Sequence, residues 1–265
     1  MTRVVLIMID GLRPDAITPA SAPFLTGLQT RSAYTLTGRS VMPAVTLPCH
    51  VSIFHSVPPE RHGITDNTWH SMSRPVVGLV EHLKAHRKLS GFIYNWEPLR
   101  DLNRPGNLAY AFFEDTCYVP EGDAVIARIA VEQIAAKRWD FLFVYLGTVD
   151  IIGHQKGWMS AGYLEHVRFV DGLIQQIMAA GDAETTFILH SDHGGYERDH
   201  GRDIPEDMTI PWFITGAGVR ENYQIQQPVS LLDTAPTTAY LLGVPPHPEW
   251  EGTVVTEAFI SSRGK

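Results

Sequence analysis

The sequence is poor in the features that mark several common classes of protein. It has two cysteines in 265 residues, Cys49 and Cys117. This is too few for a disulfide-stapled fold, so we expect free thiols in a reducing compartment. Its 21 Lys and Arg residues are outnumbered by 29 Asp and Glu residues, which gives a formal net charge of −8. This acidic balance argues against electrostatic capture of a nucleic acid polymer.

Long apolar runs and nucleotide-binding motifs are also missing. The apolar runs have the length of strands, not of membrane-spanning helices. The first one, residues 4–9, is ended by Asp10 and is too short for a secretory signal peptide. We therefore expect a cytoplasmic protein with no membrane partner. Walker P-loops, Gly-x-Gly-x-x-Gly turns and Gly-x-Ser-x-Gly elbows are absent, which disfavours ATP or NAD chemistry and a serine triad.

What remains is the pattern of an α/β domain. A hydrophobic fraction of 44% supports a sizeable core, and we expect one domain over 1–265, with room for a small cap within 67–122. Apolar runs that end in Gly, Asp or other polar residues predict strands buried on both faces, at 4–9, 89–94, 141–146, 186–189 and 210–215. Helical periodicity predicts helices at 76–86, 123–137 with Asp123 as N-cap, 160–180 and 231–242.

Strands that alternate with helices imply a mainly parallel sheet covered on both sides. Ligands of such sheets bind beyond the carboxyl ends of the strands. A lone Asp there is usually a turn residue or a helix cap, but three predicted strand ends carry acidic or imidazole side chains together. This mixed oxygen and nitrogen set suits Zn, Mn or Fe better than Mg or Ca, and is large enough for two ions. Its members are Asp10, Asp150, His154, Asp192, His193 and His200.

A hydroxyl group is predicted at the start of another helix. Thr46 is followed by Pro48 and a new apolar run, and backbone N–H groups at a helix start favour an anion. Thr46 could act as an N-cap, or as a nucleophile if a metal activated its oxygen.

Five segments in this order resemble the alkaline phosphatase superfamily, specifically its nucleotide pyrophosphatase/phosphodiesterase branch. They are Asp-Gly-Leu-Arg-Pro-Asp at 10–15, Thr-Leu-Pro-Cys-His at 46–50, His-Gly-Ile-Thr-Asp-Asn at 62–67, Asp-Ile-Ile-Gly-His at 150–154 and Ser-Asp-His-Gly at 191–194. The resemblance extends from about residue 4 to 252. It implies a three-layer αβα sandwich with a mainly parallel central sheet, alkaline phosphatase-like.

The resemblance also implies roles for individual residues. Asn67 would donate a hydrogen bond to a phosphoryl oxygen. Many relatives have Asn where this chain has Cys49, which puts a polar contact there in doubt. Two divalent ions are implied, Zn first with Mn or Fe as alternatives. One would be bound by Asp10, Thr46, Asp192 and His193, the other by Asp150, His154 and a third histidine, with His200 preferred and His247 as the alternative.

The expected activity is that of a metal-dependent phosphoric ester hydrolase. It would cleave phosphate diesters or nucleotide pyrophosphate-type bonds of a small anionic substrate through a phosphothreonine intermediate at Thr46. A phosphomonoesterase or phosphonate hydrolase is the alternative, and an inactive metal-binding protein is less favoured. Apart from Arg13, no Arg lies within the matched motifs, which favours a monoanionic diester, although Arg39, Arg61, Arg198 and Arg202 could reach in. Aromatic candidates for stacking on a nucleotide base are Trp69, Tyr94, Trp96, Trp158 and Tyr196.

Overall fold

An eight-stranded sheet organises the described part of the chain. The computed structural model describes residues 2–72, 74–102, 104 and 106–260. The strands are β1 (Arg3–Ile9), β2 (Ala33–Arg39), β3 (Ser90–Tyr94), β4 (Tyr110–Phe113), β5 (Phe141–Leu146), β6 (Thr185–His190), β7 (Thr209–Thr215) and β8 (Tyr223–Gln224). Their order across the sheet is β4-β3-β5-β1-β6-β7-β2-β8.

Helices cover both faces of this sheet. Within the described residues the α-helices are α1 (Pro23–Leu28), α2 (Thr46–His55), α3 (Pro59–His62), α4 (Leu79–Ala85), α5 (Gly122–Ala136), α6 (Thr148–Lys156), α7 (Ala161–Ala179), α8 (Pro205–Met208) and α9 (Thr234–Leu241). In this part of the chain, no helix has the length and apolar character needed to cross a bilayer.

The sheet is mainly parallel, as predicted. The strand β7 runs antiparallel to both of its neighbours, β6 and β2, and the other neighbouring pairs are parallel. The side chains of β1 alternate between two hydrophobic clusters, because successive residues of a strand point to opposite faces. Helices α2, α4 and α9 contribute to one cluster, and α1, α5, α6 and α7 contribute to the other. The three-layer αβα prediction is confirmed.

Several boundaries differ from the predictions. The helix predicted at 76–86 begins at Leu79, with Gly78 as its N-cap. The segment 231–242 divides into a 3-10 turn, Leu231–Asp233, and α9. Asp123 is not the N-cap of α5, because that position belongs to Glu121. The strands β2, β4 and β8 were not predicted.

The register of the sheet brings the functional segments together. Ile9 lies opposite Leu146, and Met8 lies opposite His190. The chain therefore leaves β1, β5 and β6 at the same edge. Cys49 and Cys117 are both free and buried.

Candidate active site

The first ligand group consists of Asp10, Asp192 and His193, which follow β1 and β6 at this edge. All three are buried, and one ligand atom from each lies within 4.8 Å of the others. The backbone N–H groups of Gly11 and His193 donate to Asp192 Oδ1 over 3.2 and 2.9 Å. These bonds fix the carboxylate and leave Asp192 Oδ2 facing the group.

The second ligand group consists of Asp150, His154 and His200. Asp150 and His154 are four residues apart on α6, so they share one face of the helix. His200 comes from the loop after β6, and the ligand atoms of this group also lie within 4.8 Å of one another. The rings of His193 and His200 stack at 3.9 Å between centroids. This contact places the two groups side by side.

The three histidines are oriented by backbone carbonyl groups. The Nδ1–H groups of His154, His193 and His200 can each donate to a main-chain oxygen, those of Arg198, Gly194 and Ala44, over 2.7–2.8 Å. This tautomer leaves each Nε2 with a lone pair, which is how metal-ligating histidines are commonly held. His193 Nε2 lies 3.3 Å from Asp10 Oδ1, and His200 Nε2 lies 3.6 Å from Asp150 Oδ1.

These contacts between nitrogen and carboxylate oxygen are not ordinary ion pairs. Burial lowers the pKa of His193 to about 4, and burial together with the neighbouring His193 lowers that of His200 to about 3. Both rings are therefore neutral near pH 7, and their lone pairs face carboxylate oxygens. Such an arrangement is repulsive unless a proton or a metal cation lies between the atoms.

The buried carboxylates also indicate that cations bind at this site. Asp10 Oδ1, Asp150 Oδ1 and Asp192 Oδ2 are buried and have no hydrogen-bond partner among the described residues. Burial, followed by repulsion from Asp150, raises the pKa of Asp192 to about 8, and burial raises the pKa of Asp10 and Asp150 well above the usual value. Because buried charges are costly without a partner, this donor set fits two divalent cations.

Thr46 lies beside the first ligand group. It is the first residue of α2, and Val45 is the N-cap, so Thr46 is not the cap of its own helix. Thr46 Oγ1 is 3.3 Å from His193 Nε2. The backbone N–H at this position has no intrahelical partner, as expected at a helix start.

The Asn67 side chain is held next to Thr46. Its Oδ1 accepts the backbone N–H of Leu47 over 3.0 Å. The amide NH₂ is then the remaining donor of Asn67, and Asn67 and Thr46 both line one cavity of about 160 Å³. Asp10, Asp150, His154 and His200 line the same cavity.

Another part of the cavity lining includes aromatic side chains. It is formed by Trp96, Cys117, Tyr118 and Ile151. Of the aromatic candidates, only Trp96 is in this lining. The Trp158 indole packs beneath Gly11, to whose carbonyl it donates over 2.8 Å, and Trp69 lines a different cavity. Tyr94 stacks on Phe113, and Tyr196 is an exposed residue of the loop after β6.

The candidate arginines have other partners. Arg39 pairs with Asp203, Arg61 with Glu249 and Glu251, and Arg202 with Asp207. The carbonyl of Arg198 anchors His154. Among the described residues, no Lys or Arg lines the cavity. His247, the alternative third ligand, packs instead against His82 and Trp250.

Sequence reasoning missed three side chains that contact the site. Tyr145, at the end of β5, donates a short hydrogen bond to Asp10 Oδ2, and Tyr118 and Cys117 lie in the cavity wall. A buried tyrosine within an apolar strand carries no signal of its role, because the same residue type commonly fills cores.

Comparison with known proteins identifies the family. The profile of type I phosphodiesterase / nucleotide pyrophosphatase matches residues 4–80 and 81–204. The chain belongs to this family. The type I phosphodiesterase / nucleotide pyrophosphatase family is a branch of the alkaline phosphatase superfamily, and its members depend on metals.

Curated relatives of this phosphodiesterase-family chain are much longer. GPI ethanolamine phosphate transferase 3 of Eremothecium gossypii is 26% identical over 68% of the chain and 17% of its own length. Ectonucleotide pyrophosphatase/phosphodiesterase family member 1 of Rattus norvegicus is 26% identical over 71% of the chain and 23% of its own length. The matched region therefore spans about a fifth of these relatives.

Solved structures share the fold of this phosphodiesterase-family member. Human ectonucleotide pyrophosphatase/phosphodiesterase 5 superposes with a TM-score of 0.82 at 15% identity, over 98% of this chain and 100% of that chain. An inactive threonine-to-alanine variant of the murine protein, in complex with AMP, gives 0.81 at 15% identity over the same shares. A 2-O GAG sulfatase gives 0.78 at 11% identity, over 96% of this chain and 73% of that chain.

Proposed function

We propose that the protein is a two-metal phosphodiesterase that acts through a phosphothreonine at Thr46. The observation that carries the proposal is the convergence of two ligand groups beside one threonine oxygen, with a carboxylate oxygen in each group left without a hydrogen-bond partner among the described residues. The AMP complex of the murine relative supports a small phosphate ester as substrate.

The residues present would hold the two cations in distinct places. Asp10, Thr46, Asp192 and His193 would bind one, and the second ligand group would bind the other. Zn suits this mixed donor set, with Mn or Fe as alternatives. When bound, the two ions would lower the pKa of the Thr46 hydroxyl and offset the negative charge of the phosphate.

The chain's own side chains account for the bond changes at phosphorus. Thr46 Oγ1 attacks phosphorus as an alkoxide, its bond to phosphorus forms, and the bond to the leaving alcohol oxygen breaks. The proton lost by Thr46 leaves with the alcohol. Water then attacks phosphorus, the bond to Thr46 Oγ1 breaks, a phosphate monoester is released, and Thr46 Oγ1 takes up a proton from the water. The Asn67 NH₂ and the Thr46 backbone N–H donate to the equatorial phosphoryl oxygens, where charge accumulates.

The charge of the cavity favours a diester over a monoester. Two divalent ions and three carboxylates give a local charge of about +1. A phosphate dianion is commonly met by an additional arginine fork, and no Lys or Arg of the described chain lines this cavity. The aromatic wall of Trp96 and Tyr118 would contact the organic part of the ester. This wall comes from the segment 67–122, which we propose acts as the small cap.

Hydrolysis rates on a bis-aryl and a mono-aryl phosphate with the same leaving group test the proposal. We expect kcat/KM to be higher for the diester, and Thr46→Ala to lose both activities. A strong preference for the monoester would favour a phosphomonoesterase on the same scaffold. Wild-type rates in Thr46→Ala would remove the threonine from the mechanism. The cytoplasmic location remains a prediction.

A further inference from the structure

The start of α6 cannot be capped by its own N-cap residue. This helix carries Asp150 and His154, and its first backbone N–H groups need acceptors from outside the helix. The N-cap position is Gly147, which has no side chain. A Cβ atom there would lie 2.7 Å from the Tyr145 ring and 3.0 Å from Asn95 Oδ1. The usual Ser, Thr or Asp cap is therefore sterically excluded at this position.

The side chain of Asp123 takes over this role from a different helix. It lies in the first turn of α5 and is fully buried. Asp123 Oδ1 accepts the Gly147 N–H over 3.0 Å and the Asn95 amide over 2.8 Å. Asp123 Oδ2 accepts the Thr148 N–H over 3.2 Å and the Thr148 hydroxyl over 2.6 Å. A carboxylate at a helix N-terminus also interacts favourably with the helix dipole.

The network extends beyond Asp123 to a second helix. Thr148 Oγ1 lies 2.7 Å from His166 Nε2, on α7. Because the threonine proton is donated to Asp123, the imidazole Nε2–H is the donor in this second bond. Three segments that are distant in sequence therefore meet at the first residue of α6.

We propose that Asp123 is a positioning residue for the second metal ion, because it fixes the first turn of the helix that supplies two of that ion's ligands. Asp150 lies in this turn, three residues after Gly147. Its Oδ1 has no hydrogen-bond partner among the described residues, so the carboxylate depends on the helix backbone for its place. This inference rests on the proposed two-metal function.

The chain contains a matched control. Asp171, on α7, accepts the Phe24 and Leu25 N–H groups over 2.8 and 2.9 Å. It thereby caps α1, whose own N-cap residue is Ala22 and makes no side-chain cap bond. Asp123 and Asp171 are both buried carboxylates that cap a helix from outside it, but α1 carries no proposed metal ligand. The variants Asp123→Asn and Asp171→Asn therefore disturb similar bonds at different places.

The experiment is a Co²⁺ titration of the metal-free protein, followed by the visible d–d absorption bands. The wild type, Asp123→Asn, Asp171→Asn and Asp150→Ala are compared, and Asp150→Ala serves as the reference for a damaged second site. An amide at position 123 places an NH₂ group against one pair of donors, so the first turn of α6 must shift. We expect the second Co²⁺ to bind about 10- to 100-fold more weakly in Asp123→Asn, as is typical when a residue supporting a metal ligand is changed.

The controls separate positioning from general destabilisation. Asp171→Asn should lower the melting temperature of the metal-free protein and retain two Co²⁺ ions with wild-type affinity. Equal loss of the second ion in Asp171→Asn, or wild-type affinity for both ions in Asp123→Asn, would overturn the positioning role alone. A wild-type protein that binds fewer than two Co²⁺ ions would overturn the proposed function as well.

A milder variant keeps the test decisive if Asp123→Asn does not fold. Thr148→Val has nearly the same shape but removes the hydroxyl bonds to Asp123 and His166, while the backbone N–H bond remains. We expect a smaller loss of affinity for the second Co²⁺, with the first ion unaffected. Unchanged affinity for both ions in folded Thr148→Val would contradict the proposal.

Discussion

The first and second ligand groups differ in how they are held and in what they face. Asp192 and His193 have no solvent exposure, and Asp10 is 2% exposed. These residues follow central strands, and backbone N–H groups and Tyr145 hold the carboxylates. In the second group, by contrast, the His154 side chain is 37% exposed, and two of the three ligands lie on a helix.

This difference in burial suggests different roles for the two ligand groups in the proposed mechanism. The closed group lies beside Thr46, so in the proposed mechanism it would hold the attacking oxygen in a fixed position. All three members of the open group line the cavity, so in the proposed mechanism this group would meet the substrate. A buried group and an accessible group thus lie beside one cavity, because they are supported by different elements of the fold.

The largest expected effect is on the turnover rate of a Thr46 variant. Removing the Thr46 hydroxyl should abolish activity but leave metal binding intact. Thr46→Ala should reduce kcat by about 10³-fold or more, because the nucleophile is removed. Metal analysis by mass spectrometry should still find two ions per chain, since the other six ligand side chains remain. Thr46→Ser, which retains a hydroxyl group, is the control and should keep part of the activity. Loss of both ions in Thr46→Ala would mean that the threonine organises the site and is not simply its nucleophile.

Removal of the metal ions with increasing chelator concentration should distinguish the buried first ligand group from the more exposed second group. We expect the ion of the second group to be removed at a chelator concentration about tenfold or more below that needed for the first, because its ligands are less well supported. His154→Ala should abolish the early step and leave the late one, and His193→Ala should do the reverse. Simultaneous release of both ions from the wild type would contradict the prediction that the more exposed second group loses its ion first.

Removal of one crowded carboxylate should change stability in opposite directions with and without metal. In metal-free protein, Asp150→Asn should raise the free energy of unfolding by about 1–3 kcal/mol, because an unpartnered buried carboxylate is lost. With Zn²⁺ present the same variant should be less stable than the wild type, since a ligand is missing. Thermal unfolding with and without chelator measures both. A metal-free Asp150→Asn protein that melts below the metal-free wild type would contradict the interpretation that the buried Asp150 carboxylate needs a cation as its partner.

The smallest effect concerns His62, which lies outside both groups in the turn that leads to Asn67. Burial lowers the pKa of His62 to about 4, and its Nδ1 accepts the Ile64 N–H over 3.1 Å. Because the folded-state pKa lies below the unfolded value of about 6.5, the stabilisation is present above that pH. It is lost as the pH falls towards 4, on the order of 1–3 kcal/mol.

Unfolding free energies of the wild type and His62→Gln between pH 4 and 7.5 check this pH effect. The variant should lose less stability on acidification, with or without metal. Identical slopes in the two proteins would show that other groups dominate the acid response.

The sequence was sufficient for the central strands and for the residues at their ends. The runs at 4–9 and 141–146 are apolar throughout, because both faces of those strands are buried. The strand β2 was missed because it lies near the edge of the sheet and includes exposed residues such as Thr37 and Arg39. The strand β4 is short and lies at the other edge, where burial alternates with exposure. Such segments resemble loops in composition.

The sequence could not predict hydrogen-bond partners that are distant along the chain. Asp123 was predicted as the cap of its own helix, because a carboxylate in a first turn has that role most often. It caps α6 instead, since a side chain at Gly147 would collide with Tyr145. That collision is visible only when three segments are packed together. The family resemblance favoured His200 as the third ligand beside Asp150 and His154, with His247 as the alternative. Only the packing of the folded chain excludes His247 from this ligand group.

Anomalous diffraction from crystals grown with Zn²⁺ tests the central claim most directly. The two-metal proposal predicts two peaks at the zinc edge, one among Asp10, Asp192 and His193 and the other among Asp150, His154 and His200. A single peak, or peaks away from these side chains, would contradict it.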